Sequence, residues 1–270
     1  MPVNQPSVIG LLPAGGQARR ISPLPLSKEL YPIGLHPMGT EGSLRPKVAS
    51  HYLLEKMRLA GITRAYFILR SGKWDIPAYF GDGTLLTMHL GYLIMNLPYG
   101  VAYTLDQAYP FVHDSLVALG FPDVLFRPRD AYARLLTRQS TTGADVVLGL
   151  FPSSQPEKVG MVDADETGRV RLIVEKPRTS QLRYMWAIAV WTPTFTQFLH
   201  DYVATIEQQR ATGDDTHLPT LTKELPIGDV IQAAIDQGLV VQSEPFPQGC
   251  YLDIGTPEDL LRATRESAQW

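Results

Sequence analysis

Four short stretches of this chain are apolar without alternation: Val8–Leu12, Tyr66–Leu69, Leu116–Leu119 and Val146–Leu150. A strand with one face in water alternates polar and apolar residues, so a strand without alternation is buried on both faces. Four such strands need a covering layer above and another below, and the segments between them can supply both. Pro46 to Ala60 predicts a helix, with Pro46 in the first turn, apolar Val48, Tyr52, Leu53, Met57 and Leu59, and Gly61 as the stop. Arg129–Thr137 predicts a second helix. The expected fold is α/β: a single Rossmann-like domain with a mostly parallel mixed sheet, covered by helices on both faces.

The second half changes character. Met161–Val162 and Val170–Val174 flank the polar turn Asp163–Gly168 and predict a hairpin, so a small antiparallel β region is expected there. Met185–Trp191, Leu239–Val241 and Tyr251–Leu252 read as strands. Pro193–Gln208, Ile227–Gln237 and Pro257–Ala263 read as helices, the last capped by Thr256. Gly83–Leu105 lacks Asp, Glu, Lys and Arg, but His89, Asn96, Pro98, Gly100 and three tyrosines make it a buried strand plus loop, not a membrane span. No linker-like stretch divides residues 1–270, so one continuous domain is expected.

Charge and motifs exclude several function classes. The 24 Lys+Arg against 27 Asp+Glu leave no basic footprint for nucleic acid. Cys250 is the single cysteine, which rules out an internal disulfide and argues against a thiolate zinc site; a reducing, cytoplasmic setting is expected, with no membrane partner. Gly10 and Gly15 have Walker spacing, but Gly16-Gln17 stands where Lys-Ser/Thr is required, and no GxGxxG, GxSxG or HExxH occurs.

The segment Leu12–Ile33 carries the most chemistry. A buried strand delivers Gly15 and Gly16, whose backbone N–H groups a phosphate can approach without meeting a Cβ. Arg19, Arg20 and Lys28 follow closely and could surround a polyphosphate. Spacing alone fits equally a glycine turn with solvated basic residues.

Motifs in order along nearly the whole chain separate these readings. Ala14-Gly15-Gly16, Arg20-Ile21, Pro23-Leu24, Ser27-Lys28-Glu29-Leu30 and Pro32-Ile33 open it; Gly81-Asp82-Gly83, Leu119-Gly120-Phe121-Pro122-Asp123, Val159-Gly160-Met161-Val162, Glu175-Lys176-Pro177 and Tyr251-Leu252-Asp253-Ile254-Gly255-Thr256 follow. In these motifs the chain resembles the sugar-1-phosphate nucleotidyltransferases, in particular the glucose-1-phosphate thymidylyl- and uridylyltransferases. The resemblance implies an enzyme that takes a nucleoside triphosphate and a sugar-1-phosphate to a nucleotide-sugar and pyrophosphate. It also implies a division of labour, with about 1–150 holding the nucleotide and about 151–270 the sugar phosphate. Leu12, Ala14, Gly15, Gly16, Arg20 and Gly100 would bind the nucleotide; Arg20, Lys28 and Asp123 would be catalytic. Gly160, Glu175 and Lys176 would bind the sugar phosphate, and Asp123 with Asp253 would hold Mg²⁺. Taken singly, each has a plainer reading: Asp253 a turn carboxylate, Glu175-Lys176-Pro177 a strand end, Asp123 the cap of a loop.

The departures from the family pattern bear on substrate and activity. Ala18 and Arg19 replace a glycine and a threonine in the phosphate loop, and Leu35–Arg45 is longer and glycine-rich, as a lid or a homo-oligomer contact would be. Ala187 and Ala189 replace a glycine and a tyrosine near the sugar. Counting back from Pro98-Tyr99-Gly100, Met95 stands where the family places a base-reading glutamine, which predicts weak discrimination among pyrimidines unless Asp106 or Gln107 takes over. A nucleotide- or sugar-phosphate-binding regulatory protein of the same fold, with little or no turnover, is the alternative. Retention of Arg20, Lys28, Asp123 and Asp253 together argues against it.

Overall fold

Val8–Ala14 (β1) lies at the centre of the main sheet, with parallel neighbours on both edges. The computed structural model describes residues 7–38, 42–96, 99–212 and 224–270. Pro32–Met38 (β2) and Ser43–Val48 (β3) form a separate antiparallel ribbon, followed by the helix Ala49–Leu59 (α1). Arg64–Arg70 (β4) pairs with β1, and after Asp75–Phe80 (α2) the strand His89–Met95 (β5) pairs with β4. The short helices Val101–Asp106 (α3) and Tyr109–Val112 (α4) lead to Leu116–Gly120 (β6), on the other edge of β1. The chain has thus placed β4 and β5 on one side of β1 and β6 on the other. Loops at the carboxyl ends of β1 and β6 diverge there, which is where open α/β sheets form their ligand crevice.

The remaining elements complete both the sheet and the crevice walls. Val124–Arg127 (β7) is followed by Ala131–Thr142 (α5), Val146–Pro152 (β8), Gly160–Ala164 (β9), Val170–Glu175 (β10) and Tyr184–Trp191 (β11). Then come Pro193–Thr212 (α6), Ile227–Asp236 (α7), Val241–Pro245 (β12), Cys250–Asp253 (β13) and Pro257–Arg265 (α8). Among the described residues the main sheet has nine strands, ordered β10-β9-β11-β6-β1-β4-β5, with β8 on the other edge of β11 and β12 beyond β8. Antiparallel β11 joins the parallel β6-β1-β4-β5 block to the second half.

Side-chain alternation explains the two covering layers. Leu12, Phe67 and Ala118 face α1, α2 and α5, whereas Leu11, Ile68 and Val117 face α3, α4, α6 and α7. A third cluster, including Ile21, Tyr52, Leu125, Leu252, Ile254 and Leu260, seats the β7–β13 ladder and α8 beneath the crevice. The Thr256 hydroxyl caps α8, accepting from the Asp259 N–H at 3.2 Å.

Three expectations from sequence need correction. Pro46 lies inside β3, not in the first turn of a helix, which begins at Ala49; an edge strand of a two-stranded ribbon tolerates the missing N–H. Gly83–Leu105 is not a buried strand plus loop: β5 is the half-buried edge of the sheet, and Val101–Leu105 is helical because Gly100, at φ 110°, turns the chain into α3. The strand expected over Leu239–Val241 begins at Val241 and runs to Pro245.

Candidate active site

Lys28 and Asp123 meet at the switch point. Lys28 follows the loop that leaves β1, and Asp123 follows β6 by three residues; the ammonium and carboxylate form a direct ion pair. Asp253 arrives from far along the chain on β13, which pairs with β7 so that Asp253 stands opposite Val124. The Ile254 N–H donates to the Asp123 carbonyl at 3.0 Å and locks the two aspartate-bearing turns together. Arg20 completes the group: a Cβ built on Gly255 would lie 2.8 Å from its Nη2 and 3.4 Å from Asp253 Oδ2, so the guanidinium crosses this glycine beside the carboxylate.

The charges perturb one another strongly. Burial disfavours the charged form of Lys28 and of Asp123, but their mutual attraction together with neighbouring groups outweighs it. Lys28 is held above the ordinary lysine range by Asp123 and Asp253, and Asp123 below the ordinary carboxylate range by Lys28. Asp253 moves the opposite way. Withdrawal from solvent and then the Asp123 charge push it up to about 6, against the pull of Lys28 and Arg20.

Two contacts fix the chain on either side of Lys28. Ser27 donates from its N–H to Asp75 Oδ2 at 2.6 Å and from its hydroxyl to Oδ1 at 2.7 Å. Glu29, 1% exposed, accepts at 2.5 Å from Lys73, 4% exposed. Neither Lys73 nor Asp75 was singled out from sequence. A pair spanning 44 residues has no local pattern to betray it.

The loop after β1 departs from the glycine pattern less than Ala18 suggests. Ala18 has φ 52°, so it holds the left-handed conformation that a glycine there would adopt. Gly16 is exposed at the mouth of a polar hollow also lined by Ser27, Lys28, Arg70 and Lys73. Leu12 and Ala14 are buried within β1 and support the loop from below. Gly15 is buried too, and a Cβ there would lie 3.4 Å from the Met95 Sδ. Met95 therefore packs under the loop as a core residue. Asp106, one of the two alternative base readers with Gln107, is engaged by His200 Nδ1 at 2.9 Å between α3 and α6. Of Pro98-Tyr99-Gly100, Pro98 lies outside the described residues, as do residues 39–41 of the Leu35–Arg45 segment.

On the other side of the ion pair, a second hollow is lined by Asp123, Gly160, Glu175, Lys176, Trp186 and Asp253. Gly160 and Glu175 are directly opposite in the β9–β10 ladder. Lys176, at φ 48°, turns the chain sharply out of β10, and its N–H donates to the Val159 carbonyl at 3.0 Å. A non-glycine left-handed residue is strained, and such residues gather at ligand clamps. Burial raises Glu175 above its ordinary value, helped by Asp229. Gly100 packs against the Leu225 backbone, and the neighbouring Val101 lines this hollow.

A divalent cation fits the chemistry of the donor set, with limits. Asp123 and Asp253 converge and repel each other, which a cation would relieve. Among the described residues no cluster of three or more His, Cys, Asp and Glu side chains could hold a metal alone. The remaining ligands would have to be water or phosphate oxygens, as hard cations in phosphate chemistry prefer. No helix among the described residues is long and apolar enough to cross a membrane.

Comparison with known proteins gives this arrangement a setting. The family model described as nucleotidyl transferase matches residues 9–269. A low-salt glycan biosynthesis nucleotidyltransferase of Haloferax volcanii is 25% identical over 95% of this chain and 65% of its own length. A glucose-1-phosphate thymidylyltransferase of Streptomyces antibioticus is 26% identical over 94% of this chain and 65% of its own. The chain thus spans about 65% of the length of these curated relatives. The solved structure of a UDP-glucose pyrophosphorylase complexed with UDP-glucose superposes with a TM-score of 0.75, at 16% identity, over 97% of this chain and 99% of that one; at such identity the match speaks for the fold alone.

Proposed function

The chain belongs to the nucleotidyl transferase family, and from that premise we propose that it joins a nucleoside triphosphate to a sugar-1-phosphate, giving a nucleotide-sugar and pyrophosphate. The observation that carries this reading is the meeting of Lys28, Asp123 and Asp253 at the sheet's switch point, between the phosphate loop and the Glu175–Lys176 turn. In the reaction a phosphate oxygen of the sugar-1-phosphate forms a bond to the α-phosphorus. The bond from that phosphorus to the β-phosphate oxygen breaks, and pyrophosphate leaves. The two reacting phosphates are both anionic, so positioning and charge neutralisation supply most of the catalysis.

The residues divide that work. Gly15 and Gly16 offer backbone N–H groups to the triphosphate. Arg20 and Lys28 neutralise the leaving phosphates, and Lys176 holds the incoming sugar phosphate. Glu175 accepts from a sugar hydroxyl, and Gly160 lets the sugar approach β9. Asp123 and Asp253 would hold Mg²⁺, which when bound neutralises phosphate charge. The lone Cys250 suits a reducing, cytoplasmic setting. The test is a pyrophosphate-release screen of the common nucleoside triphosphates against a panel of sugar-1-phosphates, with and without Mg²⁺. The reading predicts release only when both substrates and Mg²⁺ are present. Release without a sugar-1-phosphate, or none with any pair, overturns it.

A further inference from the structure

β11 changes partners in mid-strand. Its residues Ile188–Trp191 pair with β6, while Tyr184 and Met185, on the same edge, pair with β9. Trp186 and Ala187 lie in the gap between, where the chain leaves β6 toward Asp123. On the opposite edge the register with β8 slips between Trp186 and Ile188. Irregularities of this kind re-aim a side chain, and here the side chain is an indole at the wall of the second hollow.

The Trp186 side chain has a polar atom that the fold leaves incompletely satisfied. The residue is 6% exposed, and its buried Nε1–H is turned to the Glu175 carboxylate, whose charged form it favours, without closing a hydrogen bond of good geometry. A buried donor left unpaired is costly, and buried tryptophans ordinarily find a partner. Its nearest polar neighbour is the Glu175 carboxylate. A Cβ built on Gly160 would lie 2.7 Å from Trp186 Nε1 and 2.7 Å from Glu175 Oε1, so a donor and an acceptor converge over a glycine that leaves no room for even a methyl group. Gly228, at the start of α7, is pressed so closely against Glu175 that any Cβ there would overlap the carboxylate. Packing therefore holds the acceptor in place. Beside it, Phe121 and Trp186, with ring centroids 6.2 Å apart, give the hollow an apolar wall of the kind a sugar ring face packs on.

We propose that Trp186 is a specificity-determining residue of the sugar subsite: its indole N–H donates to one sugar hydroxyl, and that same hydroxyl donates to Glu175. The proposal rests on the sugar-1-phosphate reading of the site and adds to it a donor that the motifs do not contain. A hydroxyl so held is both acceptor and donor, and a sugar lacking it leaves two buried groups unpaired.

The experiment measures binding and turnover separately. Calorimetry first finds which of glucose-, galactose- and mannose-1-phosphate binds the wild-type chain most tightly; its monodeoxy analogues are then compared with it in wild type and Trp186→Phe. Wild type should lose about 30-fold or more in affinity for one analogue and little for the others. Trp186→Phe keeps the ring and removes the N–H, so that one ratio should shrink about 10-fold while the other ratios and the KM for triphosphate stay put. A uniform loss across all analogues would make Trp186 a packing residue and overturn the proposal. So would a wild-type panel in which no single deletion costs more than about 3-fold, an outcome independent of how the variant folds. Binding without turnover would fail the proposed reaction yet leave the affinity ratios to decide the role of Trp186; no binding by any of the three sugar phosphates overturns both.

Discussion

Lys28 waits against Asp123 as a charge already in place, which is what a preorganised electrostatic catalyst requires. In the proposed reaction, its value would lie in the charge that grows on the leaving pyrophosphate. Lys28→Ala should therefore lower kcat by about 10²–10³ and weaken triphosphate binding less. Steady-state kinetics checks this, and an unchanged kcat would reduce Lys28 to a structural partner of Asp123. Asp253 makes a second prediction, with a sign that follows from linkage. Its carboxyl is raised from 3.8 to about 6 in the folded chain. Between those values the folded state holds more protons than the unfolded one, so the residue costs stability as pH rises through that window, and the cost is complete above about pH 6. Asp253→Asn should make the chain more stable than wild type at neutral pH, with the gain fading in acid, while turnover is lost. Denaturant titrations at several pH values, paired with the pyrophosphate assay, test both halves.

Elements act through what they hold next to the reacting groups. The turn carrying Lys28 is clamped to the β4–α2 connection by Glu29–Lys73 and by Ser27–Asp75. Glu29 and Lys73 are both almost wholly buried, and breaking such a pair from one side leaves a stranded charge. Lys73→Met should cost about 3–5 kcal/mol of stability, whereas Glu29→Leu with Lys73→Met should recover most of it. Chemical denaturation of the single and double variants decides; an additive double variant would mean the two side chains do not communicate.

The same elements explain how far the sequence could be read. Val8–Leu12 and Leu116–Leu119 were legible as central strands because burial on both faces leaves no polar residue in them. Lys28, Asp123 and Asp253 stood out in the sequence because each sits in a motif, and the structure brings the three together. Pro46 misled, since an edge ribbon accepts a proline that otherwise signals a helix start. Trp186 was legible only as part of the strand Met185–Trp191; the change of partner along β11, which sets its indole at the wall of the cleft, leaves no mark in the sequence. The Glu29–Lys73 pairing had no signal, although Glu29 lies in a motif, because Lys73 comes from a different strand's loop.

At the scale of the whole molecule, the two halves assigned to nucleotide and sugar phosphate share one sheet and one pair of covering layers. β6, from the first half, takes β11 as its neighbour, and both large core clusters mix side chains from before and after residue 150. β8 is the clearest case: its ladder partners, β11 and β12, both lie beyond it in sequence. A chain ending at residue 150 would cut β8 short, strip both its edges, bare β6 and remove α6 and α7 from one face of the sheet. We therefore propose that the division of labour is one of ligand contacts and not of folding units, and that residues 1–150 alone do not fold. The full chain should unfold in a single transition, with calorimetric and van't Hoff enthalpies equal and with near- and far-ultraviolet circular dichroism coincident. Separate transitions, or a 1–150 fragment with dispersed amide resonances and cooperative melting, would make the two halves independent domains. The active site would then be an interface between them, and the Lys28–Asp123 pair, lying wholly within the first half, should survive in the fragment without Asp253.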